Sequence, residues 1–426
     1  MTSQTQFPIL RTARPDDAQA ISRLYHDAYM PADGSDPRKC YPFPQFLEPE
    51  WLESILKGDT ICWLVAEIED KIVGTMGAVV NIGNQEDKVA ECFGFVVDKN
   101  WRFQSLGTEL FRCLYHFLST TGNAEFIIVE ARTAHAGGWK IVKHCDFIPL
   151  GLEPYAHTMP VGSESMLLTG KISVNALSQR NLLSNTSSQV YKLSLPILES
   201  LGCIPLSLNN SASAYSLSNK LTANQLLLIE GGYEFSMPES LDNAYHIEID
   251  EKDVLQEPPA QLNILARHKA GIISLQRLEG KDTQGIRYRR RYFLACLNKQ
   301  PIAYMLAVWD LLDHRLRILD LRSHFDGIQG LLIQHVLKMV VAEIVDNPLT
   351  VVVDIRADNV RLIATLKKLG FFPTVYYPAL IAEGEYRVDA VQFTRLYNLK
   401  YDKCQSLADF NEWALAFAVV SKIAIK

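Results

Sequence analysis

Apolar residues in the first 172 positions switch between a two-residue and a three-to-four-residue period, which predicts strands and helices in alternation. Residues 9–13 read as a short strand. Pro15, Asp16 and Asp17 then open a helix that carries Ala18, Ile21, Leu24 and Tyr25 on one face. Residues 44–57 predict a second helix. Strands follow at 61–68 and 72–82, joined by the turn Glu69-Asp70-Lys71, and at 89–98. In 106–118, Leu106, Leu110, Cys113, Leu114 and Phe117 recur at helical spacing. A buried strand at 126–131, a helix at about 138–145, and strands from 147 and at 165–172 complete the segment.

The character changes between 173 and 237, where Ser and Asn are frequent and apolar pieces interrupt them, as in a partly structured connector. The second half then repeats the order of the first. A hairpin at 292–297 and 302–309 is followed by a strand at 316–321 and a helix at 328–344. A strand at 349–355, a helix at 359–369 and strands from 371 and 388 close the unit. Phe147, Pro149 and Pro154 reappear as Phe371, Pro373 and Pro378, each 224 residues on (371 minus 147, 378 minus 154). Internal duplication is the simplest explanation. The predicted organisation is a domain at 1–172, a connector at 173–240 and a second domain at 241–426.

Composition narrows the function. A chain of 426 residues with 48% hydrophobic and 21% charged residues suits two globular domains. A net charge of −6 and a pI near 6.0 argue against a nucleic-acid partner held by phosphate contacts. The run Arg287 to Tyr292 interleaves cations with aromatics. It reads either as a strand with one solvated basic face or as a single-strand binder. No apolar run is long enough to span a bilayer, and no signal peptide is evident at Met1 to Pro8. The 8 cysteines are scattered without a CxxC pair, so reduced thiols, a cytoplasmic location and no metal are expected. His144, Cys145 and His157 lack the spacing of a metal site. No GxSxG, P-loop or GxGxxG pattern supports a hydrolase, NTPase or dehydrogenase.

The stretch from Glu91 to Leu110 carries the chemistry. A strand runs into a turn with Ser105 and Gly107, and a helix starts there. Unpaired N–H groups at a helix start suit a pyrophosphate, small residues let phosphates approach, and Arg102 adds a charged contact. The loop Arg102-x-x-Ser105-x-Gly107 resembles the Gln/Arg-x-x-Gly-x-Gly/Ala loop of the general-control-type N-acetyltransferase (GNAT) superfamily. The strand Val96-Val97-Asp98 is similar to the family's strand whose splayed edge takes pantetheine. Cys145-Asp146-Phe147, Lys368-Leu369-Gly370-Phe371 and Asp354 to Asn359 resemble further family junctions.

The resemblance implies an α/β (α+β) architecture of two tandem acyl-CoA N-acyltransferase folds, each a mixed, mainly antiparallel sheet flanked by helices. It implies acetyl-CoA or a longer acyl-CoA as co-substrate. The donor would lie in the gap between the strands ending near Val97 and Ala131. Contacts would come from Phe95, Val96, Val97, Arg102, Phe103, Gln104, Ser105, Leu106, Gly107 and Thr108, and N–H groups near 95–97 would steady an oxyanion. Ser105 stands where the family has glycine, which a backbone with negative φ tolerates. The second copy differs. With Gly330 matched to Gly107, Phe325 takes the place of Arg102, and Asp326 puts an anion at the phosphate pocket; an alignment through Arg322 is the alternative. That copy therefore reads as degenerate, with a role in stability, dimerisation or acceptor binding.

The family's frequent tyrosine acid is replaced by Val142 and Leu366, and its helix asparagine by His135. A thiolate leaves readily enough that a strong acid is not compulsory. The attacking ammonium, by contrast, must lose a proton. Glu91 is the first candidate base, because alternation puts it on one face with Phe93, Phe95 and Val97; a solvated edge glutamate is the plain alternative. Glu130 and His135 are further candidates, and His135 equally suits a donor contact or a helix cap. Tyr25, Tyr29, Tyr41 and Phe43 lie on the segment that lines the acceptor pocket in the resembled fold, or pack in the core. Tyr155 and His157 sit where an acceptor, or only solvent, meets the fold. The expected reaction transfers an acyl group to a primary amine of a small molecule or of a peptide Lys or ornithine. Fatty acylation of a peptide is a variant, which Gly94 and Ala131 leave room for. A non-catalytic acyl-CoA sensor is the competing class.

Overall fold

In the computed structural model of the chain, the described residues are 8–30, 34, 44–58, 61–102, 105–133, 137–159, 162–182, 184–209, 211–212, 247–253, 288–297, 300–323, 328–343 and 349–398. Over these residues the chain divides into two units after Ser178.

The first unit contains β1 (Ile9–Thr12), α1 (Ala18–Tyr29), α2 (Pro49–Leu56), β2 (Ile61–Ile68), β3 (Lys71–Val79) and β4 (Val89–Val97). It continues with α3 (Leu106–Thr120), β5 (Phe126–Arg132), α4 (Gly137–Lys143), β6 (Ile148–Met159), β7 (Gly162–Ile172) and α5 (Val174–Ser178). Its sheet runs β1-β2-β3-β4-β5-β7-β6. All its pairs are antiparallel except β4 with β5, which is parallel. Glu69 and Asp70 close the β2–β3 hairpin with φ of 49° and 58°, the left-handed pair that a two-residue turn between twisted strands requires. The helix expected at 44–57 is broken. Residues Pro44–Leu47 form a 3-10 turn, and α2 begins at Pro49, because Glu48 ahead of the proline is extended at φ −108°, ψ 105°. The last two strands are longer than the pattern suggested, since an irregular β6–β7 hairpin continues to Met159 and Gly162.

Each face of this sheet has its own core. On one, Tyr25, Phe46, Trp63 and Phe93 meet at ring separations of 5.2–5.5 Å, joining α1 and the turn before α2 to β2 and β4. On the other, Leu106 of α3 packs with Ala66, Ile68, Val73 and Val97.

The second unit starts earlier than the predicted connector allows. Its elements are β8 (Asn185–Thr186), α6 (Ser188–Ser200), β9 (Ser207–Leu208), β10 (Ile247–Asp253), β11 (Tyr288–Leu297), β12 (Gln300–Asp310) and β13 (Arg315–Ser323). After them come α7 (Ile328–Glu343), β14 (Leu349–Arg356), α8 (Val360–Lys368), β15 (Phe372–Glu383) and β16 (Tyr386–Tyr397). Buried Arg180 binds Asp389 at 2.6–2.9 Å, and the Thr186 hydroxyl donates to the Ala357 carbonyl at 2.6 Å, so residues 179–209 are fastened to this unit. Tyr288 to Tyr292 of the basic run fall on β11, and Arg287 lies outside the described residues. Arg291 there is buried, with its guanidinium 5.7 Å from the Trp309 ring, not part of a solvated basic face.

The second sheet runs β10-β11-β12-β13-β14-β16-β15, the order of the first. The β13–β14 pair is again parallel, and the rest are antiparallel. Even the faults recur. The β6–β7 register slips at Pro149/Gly151 and Glu153/His157, and the β15–β16 register at Pro373/Val375 and Tyr377/Ile381, each 224 residues on (373 minus 149, 381 minus 157). Within those slips Tyr155 and Ala379 both take left-handed φ, 53° and 51°.

Candidate active site

The first unit's sheet opens at one place. Parallel pairing of β4 with β5 stops at Cys92/Val129, yet β4 runs on to Val97 and β5 to Arg132. On its other side β4 stays joined to β3, with one irregularity: Met76 stands opposite two residues, Gly94 and Phe95. This β-bulge is built on Gly94, whose φ is +64°. The Tyr25 hydroxyl donates to the Gly94 carbonyl, so α1 holds the bulge in place. Tyr25 is fully buried, and burial pushes its phenol pKa well up. It is a support of the strand, not the acceptor contact expected of it.

The bulge also corrects the face assignment. Glu91 and Phe93 share the α1 side, where Phe93 meets Phe46 and Trp63. The extra residue turns Phe95 and Val97 to the α3 side, where Val97 packs with Leu106 and the Phe95 ring lies against Gly107. Glu91 is 7% exposed and lies in the paired part of the strand, between Val79 and Ile128. It is a buried glutamate, not a solvated edge residue.

Past the split, the α1 side of β5, β7 and β6 carries a charged cluster. Glu130 and Arg132 alternate onto this side with Ile128, and Ala131 faces α4, 3.9 Å from the Cβ position at Gly138. Register places Glu164, His157 and Glu153 on the same side. Arg132 holds buried Glu164 at 2.7–2.9 Å, and His157 Nε2 lies 3.7 Å from Glu130 Oε2. Tyr29, at the end of α1, bonds Arg132, with Arg102 and Glu164 also acting on its phenol; burial raises its pKa. Tyr155 is half-buried, its N–H donating to Ser165 Oγ at 3.1 Å.

The α3 start lies at the end of β4. Arg102 is exposed, and its Nε donates to the Val97 carbonyl at 3.0 Å. Ser105 has φ +63°, contrary to the negative φ expected, so it occupies a backbone conformation that glycine adopts at less cost. Gly107 is small for a packing reason: a Cβ there would stand 2.7 Å from the Phe95 ring and 3.2 Å from Ile141. Leu106 is core, while Thr108 is half-buried in the first turn. Phe103, Gln104, His135, Tyr41 and Phe43 lie outside the described residues, as do Phe325 and Asp326. Val142 and Leu366 are buried in α4 and α8.

Sequence reasoning missed Arg132, Glu153 and Glu164. Arg132 was within reach, since it lies two residues from Glu130 on a strand; the two glutamates were hidden by the irregular β6–β7 register. Glycine inside the strand at Gly94 was the available signal for the bulge. In the second unit, Glu91 corresponds by register to Arg317 and Glu130 to Asp354 (354 minus 130 is again 224). Arg317 Nη1 donates to Asp354 Oδ2 at 2.9 Å, and Gln392 donates to its other oxygen at 3.2 Å. His157 corresponds to Ile381. Arg322 is held by Asp320 and stacks on Tyr304, so it is committed to local contacts.

This sheet, with its bulged and parted parallel strands and a helix starting at the cleft, makes the first unit a mixed α/β domain. Residues 19–147 match the acetyltransferase (GNAT) family model, and the first unit is a domain of that family, whose members transfer acyl groups from CoA to amines. Solved structures of low identity are also similar. An acetyltransferase of the GNAT family from Streptococcus pneumoniae is 17% identical, with 39% of this chain and 99% of that one covered and a TM-score of 0.32. For the ribosomal-protein-S5-alanine acetyltransferase from Vibrio fischeri the values are 16%, 40%, 96% and 0.34. A ribosomal L7/L12 alpha-N-protein acetyltransferase in complex with coenzyme A gives 14%, 40%, 95% and 0.33. No curated protein matches. Among the described residues, no helix is long and apolar enough to cross a membrane, and no group of His, Cys, Asp and Glu is arranged to hold a metal.

Proposed function

We propose that this chain is an acyl-CoA-dependent N-acyltransferase whose working site is the β4–β5 cleft of the first unit. The observation that carries this reading is the parting of the two parallel strands at Cys92/Val129, beside a bulge and ahead of a helix start. An extended pantetheine amide chain can pair with the freed edge of β4. The first N–H groups of α3, with the Arg102 guanidinium nearby, suit the pyrophosphate. The acceptor is a primary amine, of a small molecule or of a Lys or ornithine side chain in a peptide. Four glutamates, Glu91, Glu130, Glu153 and Glu164, share the α1 side with a single β5 arginine, Arg132, a field that favours an incoming ammonium.

The amine nitrogen attacks the thioester carbon directly, and backbone N–H groups at the bulge stabilise the oxygen anion that forms. The C–S bond then breaks, and a proton from the amine nitrogen ends on the sulfur. The second unit, on this reading, is a second copy that does no chemistry. The Arg317–Asp354 pair stands where Glu91 and Glu130 stand in the first, and an isoleucine replaces the histidine.

The test is binding and turnover of a CoA series, from acetyl to long-chain acyl, with a panel of amines. The expected result is one acyl-CoA bound per chain, weakened at least about tenfold in Arg102→Ala by loss of a charge-assisted phosphate contact. Preference for a long chain would mark a fatty-acyl transferase. Two equivalents bound, or none, would overturn the assignment.

A further inference from the structure

We infer that Glu130 and His157 act as a pair that takes the proton from the attacking ammonium; this rests on the acyl-transfer reading above. Glu130 is the first β5 residue past the last β4–β5 pair, so its side chain lies where the cleft opens, on the α1 side. Glu91 lies one residue before that last pair, between two joined strands. His157 Nε2 approaches Glu130 Oε2 to 3.7 Å, and their side chains are 4% and 12% exposed, so the two groups face each other largely away from solvent.

Among the described residues, the second unit has no such pair at the equivalent positions. At the equivalent positions the second unit has Asp354, engaged by Arg317 and Gln392, and Ile381, which holds no proton. Neighbouring charges complete the setting: Glu91 on β4, Arg132 on β5, Glu164 on β7, Glu153 on β6, and Tyr29 with Arg102 at the mouth. Arg132 is tied to Glu164 at 2.7 Å, while His157 faces Glu130.

The ammonium N–H breaks, and its proton passes to Glu130 and on to His157 Nε2, which becomes imidazolium beside the carboxylate. The neutral amine then forms the C–N bond. The remaining surplus proton on nitrogen leaves as the C–S bond breaks and ends on the thiolate, and His157 returns its own proton to water. Net products are an amide, the free thiol and one proton.

The experiment compares wild type with Glu130→Gln, His157→Gln and Glu91→Gln, following kcat/KM against pH with an alkylamine and with hydroxylamine. Hydroxylamine is largely unprotonated at neutral pH and needs no base. Acyl-CoA binding and the unfolding midpoint serve as controls on folding. With the alkylamine, Glu130→Gln and His157→Gln should each lose about 100-fold or more, the scale of general-base catalysis, and lose the acid limb of the profile. With hydroxylamine both should approach wild type. The inference is overturned if both keep the wild-type acid limb, or if only Glu91→Gln removes it. It is also overturned if the losses are equal for the two amines. Wild type that binds acyl-CoA but turns over no amine would overturn the acyl-transfer reading itself, and the pair's role with it. Should one variant not fold, the other carries the test.

Discussion

The Tyr25 hydroxyl donates a hydrogen bond to the Gly94 carbonyl, across 69 residues of sequence, and so ties the α1 helix to the bulge that turns β4. The tyrosine is fully buried and Gly94 is half-buried, and the tyrosine ring packs on Phe46 at 5.3 Å. Tyr25→Phe keeps the ring and removes only the donor. Losing the hydrogen bond to this half-buried carbonyl costs about 0.5–1.5 kcal/mol, so a lower denaturant midpoint with an unchanged m-value is expected. If the bulge shapes the donor cleft, acyl-CoA affinity falls as well. An unchanged midpoint would mean that the hydroxyl does not secure the bulge.

Much of this was legible in the pattern of residues, and the exceptions have physical causes. The strand at Ile61–Ile68 follows from a continuous apolar run bounded by a turn, in which Asp70 is of a type that tolerates positive φ. The succession of elements in the first half, and from residue 292 on in the second, followed from periodicity too, but β10 at Ile247–Asp253 did not. What failed was counting through an irregularity: one extra residue at Gly94–Phe95 sends everything after it to the other face, and alternation has no knowledge of the insertion. The Glu130–His157 approach was equally invisible. It depends on a β6 slip in which Glu153 and His157 are four apart while their β7 partners Met166 and Glu164 are two apart. The Arg180–Asp389 pair, 209 residues apart, could not be read from a connector whose composition looked loose.

Ser105 offers a stabilising change. Its φ of +63° places a side chain in a region where the Cβ crowds the following carbonyl, and its hydroxyl makes no helix-cap bond. That conformation costs an L-residue about 1–2 kcal/mol, part of which glycine recovers while losing entropy in the unfolded chain. Ser105→Gly should therefore raise stability by about 0.5–1 kcal/mol, visible as a higher unfolding midpoint. A lower midpoint would show that the serine hydroxyl has a stabilising contact that outweighs the backbone strain.

The Arg11–Asp17 pair at the entry to α1 predicts a pH dependence. The Arg11 guanidinium binds the Asp17 carboxylate at 2.7 and 2.9 Å and holds its pKa below the usual aspartate value, with help from the Arg14 N–H. A carboxylate with a lowered folded pKa contributes stability above its unfolded pKa, about 3.9, and loses it as pH falls through the folded value. The pair is partly open to solvent, so its worth is about 0.2–1 kcal/mol. Asp17→Asn keeps an acceptor for the Arg14 N–H and removes only the charge. The stability gap between wild type and Asp17→Asn should be constant from pH 5 to 7 and close below about pH 4. A gap that persists at lower pH would assign the effect to geometry and not to charge.

In the second unit, the Arg317–Asp354 pair can be tested apart from any catalysis. The side chains are 2% and 1% exposed, and Gln392 donates to the second carboxylate oxygen at 3.2 Å. Removing the guanidinium alone strands a buried anion, and breaking such a pair costs about 3–5 kcal/mol. Arg317→Met should therefore lower the unfolding midpoint strongly, or split the transition if the unit unfolds on its own. Adding Asp354→Asn removes the stranded charge and retains an oxygen for Gln392, so the double variant should recover much of the loss. Replacing a buried pair by neutral groups of similar size is often close to neutral, because two desolvated charges are expensive to hold. Recovery in the double variant, with acyl-CoA turnover by the first unit unchanged, would mean that the pair fills a cleft that performs no chemistry. No recovery would mean that the guanidinium is held chiefly by its packing, and a fall in turnover would mean that the second unit takes part in the reaction.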